Sequence, residues 1–472
     1  MVQTLKRDDL KELLYSKKKH DQGKALDALP FLSKRTGAIR SQFNKLLGEF
    51  TRNVSGVKYN EKAIAKQDFY HSEDENELSE HIASTIDWDD DEEAAGDFVR
   101  FLDQFLFNQE DLRPIHPFLF NYIQLDKKLK NEFGKYTQFM NEVLVGDNSD
   151  IKDVFNNKEA DDVLTELILE KMGNLEEKNN KRPKEQYVSI LSSLVKQYQE
   201  DLVYLSRYKD YFLTSFPLLT HYYVFMYACQ LLIKFEQFTD ADYNQTQPLY
   251  FSLDWESITK RRKPADDLEG YKFIKEHAIN LFPHIHTISH LSHNDFNMTN
   301  YDEVDQVNFT PYAELYKKIQ EKGPEYEEAF LKDLKLWIAD YSEWAKIKVE
   351  DRSETVPDAF KVLFSCLREG MSTTVCDKYG KNIDDLGANQ FLKNRGALGP
   401  ILNVKHDFLL LLTAVSVKDK RIPLNDLFVE FEKRGVKFDR YSKKEILTLF
   451  DKQNLLDKKS DSGDAQYVKP IL

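Results

Sequence analysis

Apolar residues along this chain recur mostly at three- and four-residue intervals, the repeat that gathers them on one face of an α-helix, and long alternating runs are scarce. Leu5, Leu10, Leu13 and Leu14 open an amphipathic stretch, and a further helix is predicted near Ile39–Arg52. Aromatic-rich helices follow over Phe98–Leu106 and Pro114–Phe133, then a short helix over Asp161–Met172 and a long one over Tyr187–Tyr211. Tyr211–Ile233 is uncharged and about as long as a bilayer-spanning helix. Thr214, Ser215, Pro217, Thr220, His221 and Gln230 interrupt it, however, and four of its residues are Tyr. A helix or helix pair buried in protein fits that composition better, and no membrane contact is expected. Leu249–Leu253 is the single strand predicted in the middle of the chain. Helical patterns return over Tyr312–Lys348 and Pro357–Arg368.

Polar breaks punctuate the pattern. Ser149–Ala160 is helix-poor, and Glu176–Lys184 is charged around Pro183. Gly370–Pro400 carries five of the 17 glycines and reads as a loop-rich hinge. These breaks predict an N-terminal helical region over 1–175 and a central helical region over 176–385. A C-terminal region, 386–472, then combines a basic loop with a separate small domain.

That last region has the most specific pattern. His406–Val417 is an apolar run long enough for a helix, and Arg421-Ile422 can form a short strand. Leu424, Leu427, Phe428 and Phe431 give Leu424–Lys433 one apolar face, and Gly435 stands where a left-handed helix cap belongs. Ser442 and Glu445 have capping-box spacing ahead of Ile446, Leu449 and Phe450. Leu455–Leu472 then reads strand, turn over Ser460–Asp464, strand. Helix, strand, helix, helix, hairpin is the order of a winged helix-turn-helix. The predicted fold is therefore mainly α, a multi-helix body with few strands followed by a C-terminal winged helix-turn-helix domain.

Charge qualifies the picture. The whole chain is acidic, net −14, whereas His406 onward holds 13 Lys/Arg against 11 Asp/Glu. A nucleic-acid surface would therefore be a local patch. Its candidates are Lys443 and Lys444 at the start of the third helix, Lys458 and Lys459 in the wing, Arg440 between helices, and Lys393 and Arg395 in a glycine-rich loop. The competing reading makes the winged helix a protein-binding module, with Asp451, Asp457, Asp461 and Asp464 repelling phosphate. In that case the acidic Asp87–Glu93 segment, including Asp89, Asp90, Asp91 and Glu92, is the candidate dock for a basic partner. Four consecutive cations, Lys260–Lys263, form another candidate phosphate contact or a solvated loop.

Catalytic signatures are missing from the sequence. It has no G-x-x-x-x-G-K-[ST] loop, no G-x-G-x-x-G and no G-x-S-x-G. Five of the 11 histidines fall between His277 and His293, and His286, His290 and His293 share a helix face. That spacing suits zinc, but no glutamate base lies between them, and exposed polar histidines are the plainer expectation. Three unpaired cysteines and a charged start without an apolar signal core point to a reducing, cytoplasmic setting. No cofactor is expected.

The segments Leu29–Arg52, Leu249–Lys263, Asn394–Val417, Phe431–Ile446 and Lys458–Leu472 resemble the DptG family of DNA phosphorothioation-dependent restriction proteins. The resemblance implies a non-catalytic component of an anti-phage defence complex that contacts double-stranded DNA beside DptF-like and DptH-like ATPase subunits. It supplies no catalytic residues. A pure protein adaptor and a cryptic metal-dependent nuclease are the alternatives.

Overall fold

The structure, a computed structural model, describes residues 4–60, 76–89, 91–108, 111–173, 175–178, 186–258, 270–299, 306–458 and 466–472. It is mainly helical, with short strands. Two compact units are formed, one by Gln42–Lys184 with Gln199–Leu219, the other by Met1–Ser41, Glu185–Tyr198 and Thr220–Leu472.

The smaller unit is built from helices whose buried positions follow the sequence pattern. Leu47–Ser55 buries Leu47, Phe50 and Val54, and ends on Gly56 at φ 70°. Its Gly48 lies where an added Cβ would stand 2.1 Å from the Ile123 carbonyl oxygen, so only glycine allows that approach. Glu92–Leu106 packs Leu102 and Leu106 with Leu78, Ile82, Leu119, Ile168 and Met172 in one local core. Pro114–Phe133, expected as helix, contains a 3₁₀ turn at Pro117–Tyr122 and an α-helix beginning at Lys130. Ser149–Asn156, expected as loop, is a helix capped by the Asn148 side chain, with Ile151 and Phe155 buried. Two apolar residues four apart and a good cap outweigh its polar composition.

The larger unit is organised on the Lys209–Glu236 helix from Thr220 onward. Hydrophobic on all sides, this helix is long and apolar enough to cross a membrane, but its most apolar stretch is 89% buried in protein. Phe225 stacks on Phe391 at 5.3 Å, and Tyr222 meets Phe408 at 4.6 Å. Thr373–Gly387 is a helix, not the hinge its glycines predict. Gly380 stands so close to the backbone that an added Cβ would lie 2.2 Å from the Ala278 oxygen. Those glycines mark close packing, and Asp385 in the same helix is 1% exposed between Arg35 and Arg40. Tyr312–Lys348, read as one pattern, is two helices, Tyr312–Glu321 and Pro324–Ala345, separated at Gly323 with φ 96°.

The segment 249–253 forks between two strands from the C-terminal region. Leu249 and Tyr250 pair in parallel with Val436 and Lys437, while Ser252 and Leu253 pair in parallel with Asn403 and Val404. Pro400–Val404 also pairs antiparallel with Leu392–Asn394. The C-terminal elements follow in order: helix His406–Val417, strand Ile422–Pro423, helix Leu424–Lys433, strand Val436–Lys437, helix Arg440–Lys452, and strands Leu456–Lys458 and Gln466–Val468. The last strand lies centrally in a three-stranded sheet, antiparallel to both Ile422–Pro423 and Leu456–Lys458.

Candidate functional site

Among the C-terminal elements the Arg440–Lys452 helix presents an exposed face, anchored at the helix start. Asp439 caps that helix: its side chain accepts from Tyr441 and Ser442 backbone N–H groups at 2.9 and 2.7 Å. Ser442 is thus inside the first turn and is not the cap that the capping-box spacing predicts. Its hydroxyl lies 3.0 Å from both carboxylate oxygens of Glu256 and donates to that buried group. Ile446 and Phe450 are buried beneath, which turns Arg440, Lys444 and Thr448 outward at four-residue spacing, with Lys452 continuing the stripe. Tyr441 is 44% exposed beside it.

The predicted cations divide into two groups. Lys444 is exposed, Lys443 is half-buried with its ammonium 4.6 Å over the Phe428 ring, and the Arg440 guanidinium lies 4.7 Å over Tyr441. Lys458 is in the Leu456–Lys458 strand, whereas Lys459 lies outside the described residues, as do Lys260–Lys263, Asp461 and Asp464. Asp457, expected to repel phosphate, is engaged by Arg421 at 3.1 Å and Lys469 at 3.8 Å.

Lys393 and Arg395 are occupied elsewhere. The Lys393 ammonium donates to the Asp254 carbonyl and carboxylate at 2.7 and 2.8 Å. Arg395 donates to the carbonyls of Leu253 and Glu256 at 2.7 and 3.0 Å. Lys393 holds the Asp254 carboxyl below its ordinary range by direct hydrogen bonding. These two cations latch strand 392–394 to the 253–256 segment, so the open anion-binding loop expected from their glycine-rich surroundings is a structural clasp. Their partners stand some 140 residues away in sequence, beyond any local spacing rule. Trp255, 41% exposed in the same segment and 6.1 Å from the His406 ring, was equally invisible to motif reasoning.

The acidic candidates lie in the smaller unit. Asp91 caps the Glu92–Leu106 helix through the Ala94 N–H at 2.9 Å, Glu92 stands in its first turn, and Asp89 takes a left-handed turn position at φ 48°. Asp90 is outside the described residues.

The histidines are not the exposed polar groups expected. His286, His290 and His293 are 3%, 1% and 3% exposed on the Leu281–Ser292 helix and its end. His293 donates from Nδ1 to the Ser289 carbonyl at 2.7 Å. Neither ring nitrogen of His286 meets a protein hydrogen-bond partner, and its ring lies 4.3 Å from Phe282. Among the described residues, no three His, Cys, Asp or Glu side chains converge as a metal-binding group. Burial drives the basicity of His286 down to about 3 and that of His290 well below the ordinary value. All three cysteines are unpaired and buried, and burial pushes the Cys366 and Cys376 thiols up to about 11.

Set against known proteins, this chain matches no family model and no curated protein.

Proposed function

We propose that this protein is a non-catalytic, DNA-contacting scaffold subunit of a DNA phosphorothioation-dependent restriction complex of the DptG kind. It acts in the cytoplasm beside DptF-like and DptH-like ATPase partners. Its C-terminal elements are read as a winged helix-turn-helix. Support for that reading comes from the element order after His406, the central place of Gln466–Val468 between its two antiparallel neighbours, and the edge position of Leu456–Lys458 in that sheet.

One observation carries the nucleic-acid half of the proposal: the outward stripe of Arg440, Lys444 and Lys452 on a helix whose first turn is fixed by Asp439 and Ser442. Contacts from such a stripe go mainly to phosphates, which position a duplex and give salt-dependent, sequence-tolerant binding. The wing strand with Lys458 lies along the backbone in this arrangement. Lys393 and Arg395 contribute by holding the clasp and do not touch the polyanion. The scaffold half draws on the acidic remainder of the chain and on a sequence without nucleotide-binding loops.

The test is a low-salt gel shift of duplex DNA with the full chain and a variant carrying Glu at Lys443, Lys444, Lys458 and Lys459. Retention by the parent and loss by the variant, at matched thermal stability, is the expected result. Equal retention by both overturns DNA contact through this face and leaves it as a protein dock.

A further inference from the structure

We propose that the Glu92–Leu106 helix carries a docking ridge for a basic amphipathic helix of a partner protein. This deepens the scaffold half of the proposed function, and rests on it only for which subunit supplies the helix.

The apolar face of the helix is wider than its buried core requires, and its border reaches solvent at Phe101. Leu102 and Leu106 are buried in the local core, and Val99 on the same helix is buried as well. Phe98, Phe101 and Phe105 occupy the adjoining stripe at i, i+3 and i+7. Their rings form a continuous stack, Phe98 to Phe101 at 6.0 Å and Phe101 to Phe105 at 5.4 Å. Trp88 extends it at 5.3 Å from Phe98, held by its indole N–H donating to the Ala83 carbonyl at 2.8 Å. Phe101, in the middle, is 43% exposed. Phe98 and Phe105 are half-buried against the local core and Trp88 is half-buried too, so Phe101 stands as the open ring in a row of half-covered ones, a place for the apolar anchor of an amphipathic helix.

The rim fixes the partner's chemistry. At 100° per residue, Asp97 and Glu93 follow Phe101 on the solvent side, and Asp87, Asp89 and Asp91 crowd the Trp88 end. Arg100, the helix's own cation, is tied to Asp97. A ridge of rings inside an anionic rim accepts a helix with apolar anchors three and four residues apart and lysine or arginine beside them. The same rim repels nucleic acid and acidic peptides.

The experiment measures fluorescence anisotropy of a labelled helical Leu/Lys peptide of about four turns, with a Leu/Glu peptide of the same pattern as control, against the full chain. The Leu/Lys peptide should bind and the Leu/Glu peptide should not. Phe101→Ser should weaken binding by about tenfold or more while leaving the melting temperature in place. Binding unchanged in Phe101→Ser, or no binding of the Leu/Lys peptide, overturns the ridge. The gel shift above is run on the same variant: DNA retention that survives Phe101→Ser separates failure of the ridge from failure of the DNA-contacting face.

Discussion

Acidification should unfold the larger unit through its buried histidines, and the effect can be assigned to one residue. His286 is enclosed by Phe282 and the ring of His20 at 6.2 Å, with no protein partner for either nitrogen. It stays neutral in the fold down to about pH 3. In the unfolded chain it protonates near pH 6.5. Between those values the unfolded state binds the extra proton, so stability is intact above about pH 6.5 and falls as pH falls toward the folded value. Each such group contributes a slope of about 1.4 kcal/mol per pH unit, or about 2 kcal/mol between pH 6.5 and 5. His290 and His20, also lowered by burial, add slopes of the same sign. The assay is urea unfolding at pH 7, 6 and 5, followed through Trp337, which is 1% exposed and 5.7 Å from His290. The His286→Leu variant keeps the volume, removes the titrating ring, and should be at least as stable as the parent at pH 7. Its pH slope should be shallower by about one proton. Coincident slopes for parent and variant would refute the claim that this imidazole is carried neutral in the core.

Two further outcomes follow from the C-terminal anchoring. Ser442→Ala leaves the buried Glu256 carboxylate without the Ser442 hydroxyl, and the full chain should lose about 1–3 kcal/mol, measured by thermal or urea unfolding. Lys393→Ala should lower the melting temperature by breaking the clasp on Asp254 without changing DNA retention in the gel shift, which Lys444→Glu should reduce.

What the sequence disclosed depended on whether the decisive contact was local. His406–Val417 and Leu424–Lys433 have the boundaries read from the sequence, the first as an unbroken apolar run buried on nearly all sides, the second from its one apolar face. Gly435 takes its expected left-handed conformation at φ 88°. The Tyr211–Ile233 stretch lies within a mostly buried helix, as its interrupting polar residues imply. Ser442 was misplaced because Asp439, three residues earlier, competes for the same cap and wins, releasing the serine to reach Glu256. Glycine content misled at Thr373–Gly387, since Gly380 and Gly387 admit neighbours that a propensity scale cannot see. The clasp by Lys393 and Arg395, and the inward turn of the histidine face, depend on partners brought in from distant sequence.

The fork at 249–253 sets a timetable for biosynthesis. Leu249 leaves the ribosome well before Val436, its β-partner some 190 residues onward, so at ordinary translation speeds that edge waits about 10–40 s for completion. During this interval Tyr250 and Phe251, both destined for burial, are held without their final cover on the nascent polypeptide. Chaperone demand should therefore concentrate in the interval between synthesis of these two segments, and a premature stop before Val436 should yield an aggregation-prone product, not a shorter working protein.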